Sequence, residues 1–533
     1  MSCILGGMAY GQGVYEAWVA RYDGPGSADQ AEAIAIDDSG NVYVTGFTPG
    51  TGNDDFATIK YAANGDSLWL RRYNGPGNSR DRAHALTVDN FGNVYVIGDS
   101  WNGADINFAT IKYAPNGDSL WAKLYNGPGN NSDEVAALVV DDSGNVYVTG
   151  SSIGSLTSYD YATIKYAPNG DTVWVRLYNG PGNDVDRANA LVLDDSGNVY
   201  VTGVSWNGAD IDFATIKYTP NGDTAWTRYY NGPSNSSDVA LALALDKSGN
   251  VYVAGYSDST GTGYGYDFVA IKYAPNGDSL WVRRYNGPGI IYEQALSLAL
   301  DQSGNLYVAG TSYASETSYD YATIKYAPNG DTLWVRRYNG PSGNGWDHAI
   351  ALCSDEGGNA YVTGTSWSGS SSDYCTIKYS PNGDTFWVKR CNNGAEDYVS
   401  ALAVDTSGNL YVTGRSFYDG AGYDYTTIKY SPCSSIPGDV NSTGDITLGD
   451  IIHVVNYIFD KDKLPCLGID PGNCWTPDPF CRGDVNISGA ISLGDIIHLV
   501  NYIFDKDRLP CLGSNPGNCW TPEASGACCL AVP

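Results

Sequence analysis

The feature that most constrains this chain is that it repeats itself. Eight times between Trp18 and Pro432 it runs through W-x-x-R-Y-N-G-P-G, then D-x-x-x-A-L-x-x-D-x-S-G-N-V-Y-V-T-G, then D-Y-A-T-I-K-Y-x-P-N-G-D, at a period of 50–55 residues. Each unit holds four short strand-like runs separated by Gly, Asn and Asp. Four strands per unit at such a period is the pattern of a propeller blade array. One unit cannot bury its apolar faces alone, whereas stacked units can.

The first unit sets the phase. Ala33–Asp37, Asn41–Gly46, Phe56–Tyr61 and Ser67–Tyr73 read as strands A, B, C and D, from the propeller axis outward. The A–B turn offers Gly40 for a positive φ, and the C–D turn carries the hairpin pair Asn64-Gly65. Strand A ends at Asp37, Asp89, Asp141, Asp194, Asp246, Asp301, Asp355 and Asp405. Strand D carries Trp18, Trp69, Trp121, Trp174, Trp226, Trp281, Trp334 and Trp387. Trp18 precedes every A strand, and no D strand follows Tyr430. Trp18–Tyr22 is therefore read as the outer strand of the last blade, closing the ring and removing an open edge. The expected fold is an all-β eight-bladed β-propeller over residues 15–432, closed by that N-terminal strand D, with a small α-helical calcium-loop domain behind it.

Composition narrows the functional classes. A net charge of -29 argues against nucleic acid and against an anionic membrane surface as partners, and favours divalent cations. No run of about 18 apolar residues marks a membrane span. Residues 1–14 read either as the remnant of a secretory signal or as a disordered start.

The motifs Y-N-G-P-G, D-x-S-G-N-V-Y-V-T-G and Y-A-T-I-K-Y-x-P-N-G-D resemble the SBBP beta-propeller repeat family of bacterial extracellular proteins. The resemblance implies the fold and an extracellular setting, and no reaction.

Three features recur in every unit. An acidic residue precedes strand A (Asp29, Asp81, Asp133, Asp186, Asp238, Glu293, Asp347, Asp397). A polar residue opens strand C (Asp55, Asn107, Asp160, Asp212, Asp267, Asp320, Asp373, Asp424). Strand D carries the tryptophan. One reading makes rings of carboxylates for cations or basic ligands. The other has each Asp accepting hydrogen bonds from loop amides and each Trp packing between blades, and a feature kept in all units favours it. The A–B and C–D turns are short and uniform and share one face. The B–C and D–A loops vary and share the other, so a ligand is expected there, on Trp101, Asp105, Trp206, Asp210, Tyr264, Tyr266, Trp367 and Tyr418. Exposed aromatics beside carboxylates suit a glycan or a protein ligand.

Catalysis has little support. H-E-x-x-H and P-loop motifs are absent, and His84 and His348 read as surface or packing residues. Cys375 and Cys391 face each other across a C–D hairpin, which would allow a bond, with Cys353 left over.

The tail is a duplication at a period of 45 residues. Each copy opens with a 12-residue loop of EF-hand spacing. Positions 1, 3, 5, 7, 9 and 12 are Asp439, Asn441, Thr443, Asp445, Thr447 and Asp450 in the first loop, and Asp484, Asn486, Ser488, Ala490, Ser492 and Asp495 in the second. Gly444 and Gly489 stand at the sharp turn, and apolar helices are expected over Ile451–Phe459 and Ile496–Phe504. Two Ca2+ ions are the expected cofactors. Eight cysteines follow residue 432, a density that reads as a disulfide framework in an oxidising compartment.

Loops and helices together resemble the type I dockerin domain, over residues 433–524, with a cysteine-containing tail at 525–533. The resemblance implies a cohesin-like or other surface partner, read near Leu448-Gly449 and Leu493-Gly494. The combined expectation is a secreted, non-catalytic binding or scaffold protein. A polysaccharide-active enzyme carried by a dockerin and a self-assembling structural protein are the alternatives.

Overall fold

A computed structural model describes residues 14–50, 53–154, 158–263, 265–289, 292–418, 420 and 422–432. The calcium loops, the two tail helices, the tail disulfides and Tyr264 lie outside the described residues.

Within them every regular element is a strand, and the strands form eight four-stranded antiparallel sheets. Blade one is A Gln30–Ile36, B Val42–Pro49, C Asp54–Tyr61 and D Ser67–Tyr73. Blade eight takes A Asp397–Val404, B Leu410–Tyr418 and C Gly422–Pro432 from its own repeat and D from Val14–Tyr22, as expected. The ring closes through blade one against blade eight. Asp29 N–H donates to Tyr423 O at 2.7 Å, and Tyr425 Oη donates to Ala57 O at 3.2 Å.

Strand A starts earlier than its hydrophobic pattern suggests. In blade two it runs Asp81–Val88, so the recurrent acid is its first residue. A β-bulge between Ala83 and Ala85 breaks the alternation that marks the other strands. The same shift recurs in blades three to eight, for example between Ala188 and Ala190.

The core lies in the seams between blades. Tyr43, Phe56 and Trp69 of blade one pack on Ala83, Leu86, Val94, Val96, Ala109 and Ile111 of blade two. The turn face explains much of the repeat. In each blade the strand B tyrosine donates to the aspartate that ends strand A, as Tyr43 does to Asp37 at 2.9 Å. The strand C lysine lies over that ring, Lys60 Nζ being 4.9 Å from the Tyr43 centroid. Strand D then ties to the next blade: Trp69 Nε1 donates to Pro115 O at 3.1 Å and Arg71 Nε to Gly117 O at 2.6 Å. The P-N-G turn is thus both a hairpin and an acceptor for its neighbour. Gly117, at φ 87°, leaves no room for a Cβ beside the Arg71 guanidinium.

The Cys375–Cys391 bond is a correction: no disulfide joins the two thiols. In the C–D register of blade three, Ala162 stands opposite Leu177 and Tyr161 opposite Tyr178. Ala162 and Tyr178 are the equivalents of the two cysteines, so these sit one step out of register. Successive strand residues point to opposite faces, and the two thiols diverge.

Candidate binding face

The loop end of each blade carries one cross-strand row. In blade five it is Asp238 on A, Ser257 on B, Asp267 on C and Arg284 on D. Asp238 accepts from Gly232 N–H at 2.5 Å, in the N-G-P segment that precedes it. Arg284 bonds Asp267 at 3.0 Å, Ser257 at 2.8 Å and Tyr230 Oη at 3.0 Å. Blades six and seven repeat the ion pair with Arg337–Asp320 at 2.7 Å and Arg390–Asp373 at 2.9 Å. In blade two both charges are replaced together, by Asn107 and Leu124.

Seven of the eight acids at strand A accept from a loop amide, as the architectural reading holds, whereas neither carboxylate oxygen of Glu293 has a hydrogen bond. Their environment is nonetheless costly. Burial raises the pKa of all eight, pushing Asp133 and Asp238 up to about 6 and Glu293 up to about 7.

The residues expected to meet a ligand divide sharply. Trp101 and Trp206 are half-buried against their own D–A loops. A Cβ on Gly77 or Gly182 would meet the indole Cδ1 at 2.5 or 2.4 Å. Trp367 lies the same way on Gly345. Asp105 is buried and accepts from Asn102 and Asn107, and Asp210 accepts from Asn207, so both carboxylates close their loops. Tyr418 covers Arg21, whose guanidinium carbon is 4.0 Å from the ring centroid. These residues are held by the loops and strands of their own blades.

Tyr266 belongs to something larger. It meets Tyr256 edge-on at 5.0 Å and Tyr292 at 6.3 Å. Tyr292 meets Tyr319 at 5.3 Å, and Tyr319 meets Tyr313 at 5.3 Å and Trp346 at 6.1 Å. His348 stacks on Tyr319 at 5.5 Å, and burial holds its pKa below the usual value. This chain of rings crosses blades five, six and seven on the loop face. Trp346 ends it, 66% exposed, with its backbone bridged to Tyr319.

Sequence reasoning missed Trp346, Tyr292, Tyr313 and Tyr319. The signal was in the repeat columns: Trp346 stands where other repeats have Ala28, Arg80, Ser132, Val185, Ser237, Tyr292 and Glu396. The other propeller histidine, His84, donates from Nε2 to Asp99 Oδ2 at 2.9 Å. Burial opposes its protonation, but Asp99 and Glu32 outweigh burial and raise its pKa.

The beta-propeller repeat SBBP matches residues 17–52, 68–107, 120–156, 173–211, 225–261 and 392–416. SBBP repeats are present in this chain. These SBBP spans stop at 261 and resume at 392, and the aromatic chain from Tyr266 to His348 falls between them. The chain is also similar to an uncharacterised WD repeat-containing protein, L264, of Acanthamoeba polyphaga mimivirus. Identity is 24% over 365 residues, 56% of this chain and 25% of that protein, so the chain spans about a quarter of that relative's length. Among solved structures, Sqt1 of Chaetomium thermophilum has a TM-score of 0.50 at 13% identity, covering 79% of this chain and 98% of that one. Sqt1 bound to the N-terminus of the ribosomal protein L10 has a TM-score of 0.48 at 13% identity, covering 78% and 99%. The likeness to free Sqt1 shows the propeller fold.

Proposed function

We propose that this chain is a non-catalytic binding protein whose propeller presents the aromatic chain of blades five to seven to a protein partner. One observation carries the reading: Trp346 stands exposed at the end of a connected row of rings, where most repeats hold a small or polar residue. Buried or half-buried aromatic anchors give large contact area with little side-chain entropy to lose. The rings meet edge to face, and the Tyr319 face is taken by His348. That arrangement favours a protein epitope over a sugar, which needs an open ring face beside polar groups.

In this reading the chain is secreted, and residues 433–533 form a dockerin-like module that binds two calcium ions and docks on a cohesin-like or other surface partner. The ligand spacing and glycines of its two loops support the calcium sites.

The test is a parallel capture from the source organism's surface proteins with the full chain and with Trp346→Ala, run beside a glycan array. A protein retained by the first and lost by the second supports the reading. Array signal lost in the same variant moves the ligand class to carbohydrate, and capture indifferent to Trp346 sinks the site. Calcium titration of the full chain against Asp439→Ala/Asp484→Ala checks the tail.

A further inference from the structure

We propose that the seam closing the ring, between blades eight and one, binds a calcium ion through Asp23, Asp29 and Asp424. One carboxylate oxygen from each lies within 4.8 Å of the others, the single such trio among the described residues. Asp424 is on strand C of blade eight, Asp29 directly precedes strand A of blade one, and Asp23 lies on the connector between the blades. An ion there would brace the two ends of the described chain where hydrogen bonds such as Asp29 N–H to Tyr423 O join them.

The charges do not balance without it. Arg21 pairs with Asp424 and, at 3.5 Å, with Asp23, so one cation faces three carboxylates. Asp29 and Asp424 are fully buried, and the Oδ1 atom of each has no hydrogen-bond partner.

A second, independent observation is Thr48. Its hydroxyl is also fully buried and without a hydrogen bond. A Cβ placed on Gly24 would lie 2.0 Å from Thr48 Oγ1 and 2.4 Å from Asp29 Oδ1. Both oxygens therefore face one small space that a glycine leaves open. In blade two the equivalent hydroxyl closes on its carboxylate, Ser100 donating to Asp81 at 2.6 Å, and in blade seven Ser366 does so to Asp347. The closing seam leaves the pair without that bond, as blades three and eight do, and among the described residues only there do two further carboxylates come within reach.

The sequence marks the same place. The other repeats carry asparagine where Asp23 stands, and Asn74 pins its loop by donating to Asn78 at 2.6 Å. The closing repeat has Ser27 at the Asn78 position, so Asp23 has no such duty. A donor set made only of oxygens suits a hard cation. Calcium, with bonds of about 2.3–2.6 Å, accepts ligand oxygens up to about 5 Å apart.

The test uses the full, calcium-depleted chain and calorimetric titration with calcium chloride. Asp23→Asn is the decisive variant, because it installs the residue the other repeats use and should fold. Asp439→Ala/Asp484→Ala removes the proposed tail loops independently. Expected is one calcium fewer in Asp23→Asn, or about tenfold weaker binding at one site with one of three carboxylates gone. The calcium-dependent rise in the propeller's thermal midpoint should vanish with it and survive in the tail variant. Equal stoichiometry, affinity and thermal shift in Asp23→Asn and the unmodified chain overturn the proposal. So does a response abolished by the tail variant alone.

Discussion

Each blade carries one acid at the end of strand A on the turn face and another at its start on the loop face, and the two faces treat them in opposite ways. On the turn face Asp194 accepts from Ser196 N–H, Asn198 N–H, Asn198 Nδ2 and Tyr200 Oη, at 2.7–3.0 Å. Burial works to raise its pKa, but those hydrogen bonds outweigh burial and hold it below the usual range; Asp37, Asp246 and Asp301 behave alike. On the loop face burial wins, and every strand A acid is raised. The turn face is finished, satisfied and uniform. The loop face carries the strain and the variation, which is where a repeat protein can acquire a ligand without losing its ring.

The largest effect should come from breaking the finished face. Trp174 is buried among residues of blades three and four and donates to Pro220 O at 3.2 Å. Trp174→Ala should cost ~3–5 kcal/mol, read as a lower denaturant midpoint. A loss below 1 kcal/mol would mean that the strand D tryptophan is not what ties neighbouring blades.

The loop-face row gives the next. Arg284→Leu leaves Asp267 buried without its cation and should cost ~2 kcal/mol, at the low end for a broken buried pair because Arg284 is partly exposed. Adding Asp267→Asn recreates the Asn107/Leu124 combination of blade two and should restore most of the loss. If the double variant is no better than the single, the two charges are not coupled and blade two's paired replacement is coincidence. Chemical denaturation of all three chains decides it.

How much of this was legible in the sequence follows from what local pattern can carry. Turn chemistry and alternation are local, so Gly40, Asn64-Gly65 and the surplus strand at Trp18–Tyr22 sufficed for blade count and closure. Strand A was read too short because its bulge hides Asp81 from a period-two pattern. The cysteine bond failed on a one-residue offset that no spacing reveals. Trp101 and Trp206 stand out in the sequence as aromatic residues, whereas in the fold each fills the space above a loop glycine. Trp346 gives no motif at all. Only its departure from most of its own column marks it; Tyr292 holds that column's place one repeat earlier, and Tyr319, which joins the two, comes from strand C of blade six.

Protonation should separate the faces more gently. Raised carboxyls contribute stability that is full below their unfolded pKa, near 4, and lost as pH rises through the folded value. For Asp238 that value is about 6. Asp238→Asn keeps an acceptor for Gly232 N–H and removes the charge, so it should stabilise by ~1 kcal/mol at pH 8 and by less toward pH 4. Asp194 has the opposite sign: its contribution is present above pH ~4 and lost as pH falls through its lowered pKa. Asp194→Asn should therefore destabilise at pH 8 and converge on the unmodified chain in acid. Thermal midpoints across pH 3–8 that move in parallel for both variants would erase the contrast between the faces.

The smallest effect on stability should come from the residue given the largest role in binding. Trp346 is 66% exposed, and its indole touches Tyr319 and His348 only at ring-to-ring distances of 6.1 and 6.5 Å. Exposed substitutions of this kind shift stability by no more than ~0.5 kcal/mol. Trp346→Ala should leave the midpoint within that range while removing the partner's anchor. The opposite outcome, a folded-state loss of 2 kcal/mol or more with capture intact, would make Trp346 one more architectural tryptophan. The loop face would then resemble the turn face, and the aromatic chain would be a brace across three blades. The two readings differ in where the ring's free energy goes, into the fold or into a partner, and one variant measured both ways separates them.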